Sequence, residues 1–538
     1  MVVLQHWKRL PQLWLIASLL LALAQSSPPQ PSSATCQDVR PPVAQRTFRS
    51  EAVDKAIEDI AGRMTDGNLA CLFRNTLPSC LDTTVYSFKP AGVSKPQGSC
   101  SSTPGLCKLD SDDKDDTFIV TGDINAMWLR DSTNQVLPYM RYAKEDPHLQ
   151  QLLRGLVNRQ VRQIQTDVFA NAHNIDRSTG QNPNSYDKTT KPGPGGIPVN
   201  AMNPLIYERK YELDSLCAFL KLGSEYYAGT ADSTPFDSDW VKAVQLVLST
   251  MRSMQSATQR TDASGYFFQR CTSCEPGDTL SHGVGFPGAF TGLVRSSFRP
   301  SDDATQLPFL VPANAMAVVE LRRAARVFRE TAAARAPTVE LSAGGESLAV
   351  DLEVLASEID AALQREAVVP HRKAAGGESV FAYEVDGFGN TLHMDDANVP
   401  SLLSLPYLGY IGSDNSTYLS TRRMVLNRTT NPFYFEGSAG RGVGSPHTGI
   451  GRIWPMSMIM QALTSESDEE ISSCLHMLAT TTASTWFMHE SFNKDDAAEF
   501  SRPWFSWANS LFGELILRLS EERPHLIFRT AGKDQPLL

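Results

Sequence analysis

Several absences narrow the reading of this 538-residue chain before any motif is considered. Beyond residue 24 there is no long apolar run, so the body of the chain lacks a segment of the ~20 apolar residues needed to span a bilayer. There is no block of Lys or Arg, and the formal net charge is −10, which argues against a nucleic-acid partner. The Gly-rich stretch around residues 437–449 is not followed by Gly-Lys-Ser/Thr, so a phosphate-binding loop fails. No sequence period repeats, which argues against a solenoid. Cysteine is sparse, nine residues in all, and Cys271-x-x-Cys274 has no second such pair to complete a zinc site. It reads as a loop disulfide or as two unrelated thiols.

What is present starts with a targeting signal. Lys8 and Arg9 precede an apolar run from Leu13 to Ala24 that ends in Ala22-Leu23-Ala24. That is the layout of a secretory signal peptide, with an uncleaved anchor as the alternative. Removing residues 1–24 takes away two cations and moves the net charge from −10 to −12. An oxidising compartment permits disulfides. Cys36, Cys71, Cys80, Cys100 and Cys107 crowd the first fifth of the chain and would staple an irregular N-terminal region, whereas Cys217 and Cys474 fall in helical patterns and read as buried thiols. Two glycosylation sequons, Asn415-Ser-Thr and Asn427-Arg-Thr, place that segment at the surface. The expected location is the secretory pathway, extracellular or in the cell wall.

At 41% hydrophobic and 20% charged, the full sequence has the composition of an ordinary globular chain. Residues 25–45 are Ser/Pro/Gln-rich and read as a flexible leader. Ser50 is placed to cap a helix in which Val53, Ile57, Ile60 and Met64 share one face. Leu149, Leu152, Leu153, Leu156, Val157, Val161 and Ile164 repeat the pattern over 149–164. Further helices are expected near 210–228, 238–254, 313–331, 348–366, 454–463, 469–482 and 503–520. Strand-like runs are short: Thr117–Val120, Tyr266–Gln269 and Val380–Val385. Amphipathic helices joined by long Gly/Pro/Asn-rich loops predict an all-α domain over 46–522 with function on the loops. Residues 322–378 read as a helical hairpin with a Gly-rich tip at Ala343-Gly344-Gly345, an elaboration of the scaffold, and 523–538 as a C-terminal tail.

Carboxylates, arginine, histidine and aromatics recur together in these loops. A carbohydrate site needs that mixture, because sugars are neutral and are held by hydrogen bonds to hydroxyl groups and by aromatic faces. The clusters are Thr121-Gly-Asp-Ile-Asn-Ala-Met-Trp-Leu-Arg-Asp-Ser132, Tyr207-Glu-Arg-Lys-Tyr-Glu-Leu-Asp-Ser215, Asp386-Gly-Phe-Gly-Asn390 with His393-Met-Asp-Asp-Ala-Asn398, Asn431-Pro-Phe-Tyr-Phe-Glu-Gly437 through Gly444-Ser-Pro-His-Thr448 to Trp454, and Phe487-Met-His-Glu-Ser-Phe492 with Arg502-Pro-Trp-Phe-Ser-Trp-Ala-Asn509. His393 with Asp395 and Asp396 matches no familiar ligand spacing, so neither a metal nor another cofactor is expected. Asp214 lies between buried neighbours at a helix start, where the dipole favours an ionised carboxylate. Proton donation would require burial, or a neighbour such as Glu208 or Glu212, to raise its pKa.

The segments Thr121–Gln135, Glu208–Cys217, Met394–Pro400, Gly444–Thr448 and Met488–Asn509 resemble glycoside hydrolase family 125, in its fungal branch, over roughly residues 45–520. More distantly, Arg130-Asp131-Ser132, Asp214 and the Glu490-to-Trp507 segment resemble the layout of glucoamylases. The resemblance implies an (α/α)6 toroid, a six-hairpin fold, with inverting, metal-independent exo-α-1,6-mannosidase activity on mannose-containing glycans. Carried over residue by residue, it implies Asp214 as general acid, Glu490 as general base, and Arg130 and Asp131 as the grip on the terminal sugar. His393, Asp396 and His447 match motif segments and are expected at the substrate. Glu436, in its Phe-Glu-Gly loop, is the second choice of base. Stretches around 270–280 and 322–378 depart from shorter bacterial relatives and leave the shape of the cleft mouth open. Another sugar specificity and a catalytically silent glycan-binding protein stay as alternatives; a toroidal epimerase, which would work through paired histidines, is more remote. A monomer is expected, with no nucleic acid and no stable membrane insertion.

Overall fold

The structure, a computed structural model, describes residues 35–92, 97–98, 114–176, 187–189, 202–258, 265–270, 276–332, 345–371 and 377–528. The signal segment 1–24, Cys100, Cys107, Cys271, Cys274, the hairpin tip at Ala343-Gly344 and residues 529–538 lie outside the described residues.

The apolar stripes read from the sequence become buried faces. All seven residues from Leu149 to Ile164 are buried along Pro147–Thr166, and Val53, Ile57 and Ile60 along Glu51–Arg63. Such faces need partners, and the helices find them by alternating between two layers along the chain. The outer layer comprises Glu51–Arg63 with Gly67–Thr76, then Pro147–Thr166, Ser238–Met254, Gly345–Glu366, Ser416–Val425 and Asp468–Thr480. The inner layer comprises Leu129–Val136, Leu213–Thr230, Val311–Glu330, Pro455–Leu463 and Ser506–Glu522. Leu129–Val136 packs on Leu213–Thr230, which packs on Val311–Glu330. Pro455–Leu463 packs on Ser506–Glu522, which returns to Leu129–Val136. The sixth inner place is taken by the turns of 401–411, where Tyr407 donates to Glu514 at 3.0 Å and Gly409 lies against Arg323 and Val319. The ring is the expected (α/α)6 toroid.

The 322–378 stretch is part of that ring rather than an elaboration of it. Its first helix starts at Val311 and packs on both Leu213–Thr230 and Gly345–Glu366. Buried Ala313, Ala315, Ala317, Ala324 and Ala325 let the helices approach closely. The end of the leader also differs from the expectation. Cys36 is disulfide-bonded to Cys71, and Arg40 pairs with Asp82 at 2.8 Å and Asp54 at 2.9 Å, so 36–45 is tied down. Cys80 stays a buried free thiol, as do Cys217 and Cys474. Beyond residue 522 the chain turns back onto its first helix, where Thr65 N–H donates to the Ile527 carbonyl at 2.9 Å and Phe528 pairs with Met64.

Two strand expectations shift. The run at 117–120 is Asp116–Ile119, paired with Val85–Lys89, and 380–385 splits into Ser379–Phe381 and Glu384–Val385. Tyr266–Gln269 forms no strand, because Gln269 bridges a single residue, Lys188.

The two helical layers start differently. Outer helices begin on polar caps: Ser50, Asp66, Asp146, Asp237, Asn415 and Ser467 each accept a backbone N–H from the first turn. Inner helices begin at Trp128, Glu212, Leu310, Trp454 and Phe505, and none of these caps its helix with its side chain. Their first turns are turned to another use.

Candidate active site

The N-terminal ends of three inner helices, Leu129–Val136, Pro455–Leu463 and Ser506–Glu522, meet at a pocket with Arg130, Asp131, Asp302, His447, Glu490 and Trp507 in its wall. Arg130 organises one side. Its Nη1 lies 2.5 Å from Glu212 and 3.3 Å from Asp214, and its Nη2 lies 3.3 Å from Asp131 and 3.4 Å from Asp302. The guanidinium stands over the Trp507 ring, 5.7 Å from the centroid. Four carboxyl groups around one buried guanidinium carry more negative charge than it neutralises, which favours retention of a proton.

Asp214 and Glu212, the two carboxyls on Arg130 Nη1, share that proton. Burial raises the Asp214 pKa, against the pull of Arg130, to about 6. Burial therefore outweighs the helix dipole that argued for an ionised group. Burial also raises Glu212, which accepts from Arg130, from the Ser215 hydroxyl at 2.7 Å and from the Asn171 amide at 3.1 Å. Asp302 goes the other way: burial opposes its charge, but Arg130 and Lys210 hold it well below the usual carboxylate range. Among the described residues, Asp214 Oδ1, Asp131 Oδ2 and the Trp128 Nε1–H are buried without a hydrogen-bond partner. Buried polar atoms are rarely left so. Two of them, on Asp131 and Trp128, belong to residues of the pocket wall, which suits a ligand rich in hydroxyl groups.

Glu490 joins the pocket wall just before the strand Ser491–Asn493. Ser501 donates to its Oε2 at 2.8 Å, and Arg502 Nε lies 3.3 Å from its Oε1. Arg502 adopts the left-handed region, with φ 54°, and also reaches Asp123 at 3.4 Å. The neighbouring His489 is a structural residue, its ring stacked on Phe500 and its nitrogens against the Arg502 and Thr482 carbonyls.

His447 lines the same pocket, with Nδ1 3.1 Å from Asp303. Burial works against its charge, but the bond to Asp303 dominates and pushes its pKa up to about 9, so it is a cation at neutral pH. Asp396 acts from behind. It accepts from the Asn398 N–H and side-chain amide, at 3.1 and 2.9 Å, and from the Ser445 hydroxyl at 2.9 Å. Asn398 lines the pocket, and Ser445 caps the turn that carries His447.

The expected residues therefore divide. Arg130, Asp131, His447 and Glu490 line the pocket, and Asp214 is bound to it through Arg130. Asp396 is a positioning residue. His393 stands outside the lining, its ring packed against His371 with centroids 4.8 Å apart, and burial lowers its pKa. Glu436 is exposed on the hairpin of Tyr434–Glu436 and Arg441–Val443 and does not line the pocket. Sequence reasoning missed Asp302 and Asp303. Their loop is anchored by Arg299, buried and bonded to Glu384 at 2.7 Å, while Glu384 also accepts the Gln306 and Leu307 N–H groups. The consecutive aspartates in a long loop were the one available signal.

An α/α toroid whose inner helix starts surround a polar pocket with paired carboxyl groups falls among the glycoside hydrolases. Residues 66–517 match the profile of the metal-independent α-mannosidases of family GH125, and the chain belongs to that family. It is 39% identical over 500 residues to the meiotically up-regulated gene 157 protein of Schizosaccharomyces pombe, covering 92% of this chain and 90% of that one. Among solved structures it is similar to a metal-independent α-mannosidase of Streptococcus pneumoniae in a non-productive complex with α-1,6-mannobiose. That match has 36% identity and a TM-score of 0.75, and covers 89% of this chain and 100% of the other. The chain is a glycoside hydrolase, an α-mannosidase. Among the described residues no helix is long and apolar enough to cross a membrane.

Proposed function

We propose that the enzyme removes non-reducing terminal α-1,6-linked mannose from glycans with inversion of configuration, as a monomeric exo-glycosidase of the secretory pathway. The observation that carries this reading is the contrast between two carboxyl groups. Asp214 is fully buried and raised to about 6, which suits a proton donor. Glu490 sits in the pocket wall with Ser501 and Arg502 directed at its two oxygens, which suits an acceptor that activates water. The pneumococcal relative's α-1,6-mannobiose complex supports the linkage.

Hydrolysis of α-1,6-mannobiose followed by proton NMR tests the reaction. The β-anomer of mannose is expected first; the α-anomer first overturns inversion, and binding without turnover overturns the enzymatic reading of this site. Asp131 lines the pocket, where its Oδ2 faces Arg130 at 3.3 Å without a hydrogen bond, and is assigned to a hydroxyl of the terminal mannose. A charged hydrogen bond is worth about 1.5–3 kcal/mol, so Asp131→Ala should bind mannose roughly ten- to a hundredfold more weakly by calorimetry. Unchanged affinity rejects the assignment.

The secretory location is supported by the Cys36–Cys71 disulfide and by exposed Asn415 and Asn427. Expressed in eukaryotic cells, the chain should lose mass on treatment with an N-glycan endoglycosidase. A chain made in such cells with no mass change and reduced Cys36 and Cys71 contradicts that route.

A further inference from the structure

The toroid holds a second cavity, of about 330 Å³, that the catalytic reading does not use. Lys221 and Glu225 reach it from Leu213–Thr230, Arg323 from Val311–Glu330, Tyr407 from the turns of 401–411, and Glu514 and Arg518 from Ser506–Glu522. Glu225 is three helical turns past Asp214, about 16 Å at 1.5 Å per residue, and Arg518 is as far past Trp507. The cavity is therefore at the end of the ring opposite Arg130, Asp214 and Glu490.

Lys221 is the informative group. The residue is 6% exposed and lines the cavity, and its ammonium has no hydrogen bond or ion pair among the described residues. It sits over the Tyr407 ring, 5.2 Å from the centroid. Its charge is offset through space by the carboxyls of Glu320 and Glu514, while its N–H donors are left to whatever fills the cavity. The other groups are already engaged: Arg323 pairs with Glu225 at 2.7 Å, and Glu514 accepts from Tyr407 at 3.0 Å.

The signs of charge on the wall select the ligand. Glu225 and Glu514 would repel an anion; Lys221, Arg323 and Arg518 would repel a cation. A neutral molecule rich in hydroxyl groups satisfies both, since each hydroxyl can donate to a carboxylate and accept from a cation. The volume lies in the range of small-molecule sites, about 300–1,000 Å³. We propose that this cavity is a second, non-catalytic saccharide site that takes a neutral hexose or a short oligosaccharide. The proposal does not depend on which bond the catalytic pocket cleaves.

The test uses the full chain with mannose as probe, titrated by calorimetry and by ligand-observed NMR. The unmodified protein should bind mannose at two sites, and Asp131→Ala should keep one of them intact. Lys221→Met should weaken that remaining site at least tenfold, while hydrolysis of α-1,6-mannobiose proceeds at the unmodified rate. Should Lys221→Met lower the melting temperature sharply, Glu225→Gln, which keeps the side-chain shape, gives the same reading. One mannose site that disappears entirely in Asp131→Ala overturns the proposal. So does second-site binding that survives both Lys221→Met and Glu225→Gln, and so does a site that takes inorganic phosphate but not mannose. Loss of turnover with the second site intact would instead count against the catalytic reading alone.

Discussion

Asp214→Asn is expected to slow hydrolysis of α-1,6-mannobiose by about 100- to 10,000-fold, the usual worth of a positioned proton donor. The same variant should lose much less on an aryl α-mannoside with an activated leaving group, which departs without a proton. The contrast follows from where Asp214 sits: burial among carboxyl groups raises it to about 6, with Arg130 as the opposing charge. The direction of the pH dependence follows as well. The donor must be protonated, so activity on mannobiose falls as pH rises through about 6, and this fall should be absent in Asp214→Asn. Equal losses on both substrates would remove Asp214 from the acid role.

Glu490→Gln should lose a comparable factor, about 100- to 10,000-fold, on both substrates, because each still requires an activated water. An amide keeps the size of the group but cannot accept the proton. Glu436→Gln is the control, since Glu436 is exposed on its hairpin and outside the pocket lining. Its turnover should stay near normal. If Glu436→Gln abolishes activity while Glu490→Gln preserves it, the base is Glu436.

The long helices of the outer layer are the easier part to read from the sequence, whereas its short ones, Gly67–Thr76 and Ser416–Val425, carry too few turns for a periodicity and were not expected. Pro147–Thr166 shows one apolar face to the core and one polar face to water, so its periodicity and its acidic cap are both visible. Inner helices lack that contrast. From Leu213 to Ser224 every residue is buried, polar ones included, and the start was misplaced by three residues. The same happened at Ser506, where the aromatic run ahead of the helix resembles the helix itself. Asp214 and Glu490 were legible because each lies in a long, specific motif. Asp302 was not, because its role rests on a left-handed backbone, φ 69°, and on a contact with Arg130 from 172 residues away. His393 shows the converse: the cluster around it was correctly singled out, yet Asp396 and Asn398 serve the pocket while His393 packs on His371.

The uncapped inner helices have a consequence for heat resistance. A good cap is worth about 0.5–2 kcal/mol, and five helix starts in this ring forgo one. At three of those starts the cap position holds Trp128, Trp454 or Phe505, which face the pocket, and at a fourth Glu212, which holds Arg130. Placing Ser or Asp there would add a cap but delete a buried aromatic, at about 3–5 kcal/mol, or the buried carboxyl that holds Arg130, so the melting temperature would fall and the groups that surround the substrate would go with it. Packing and substrate recognition rest on the same residues at these starts, so stabilisation of this enzyme is better sought on the outer layer, where the caps are separate from the site.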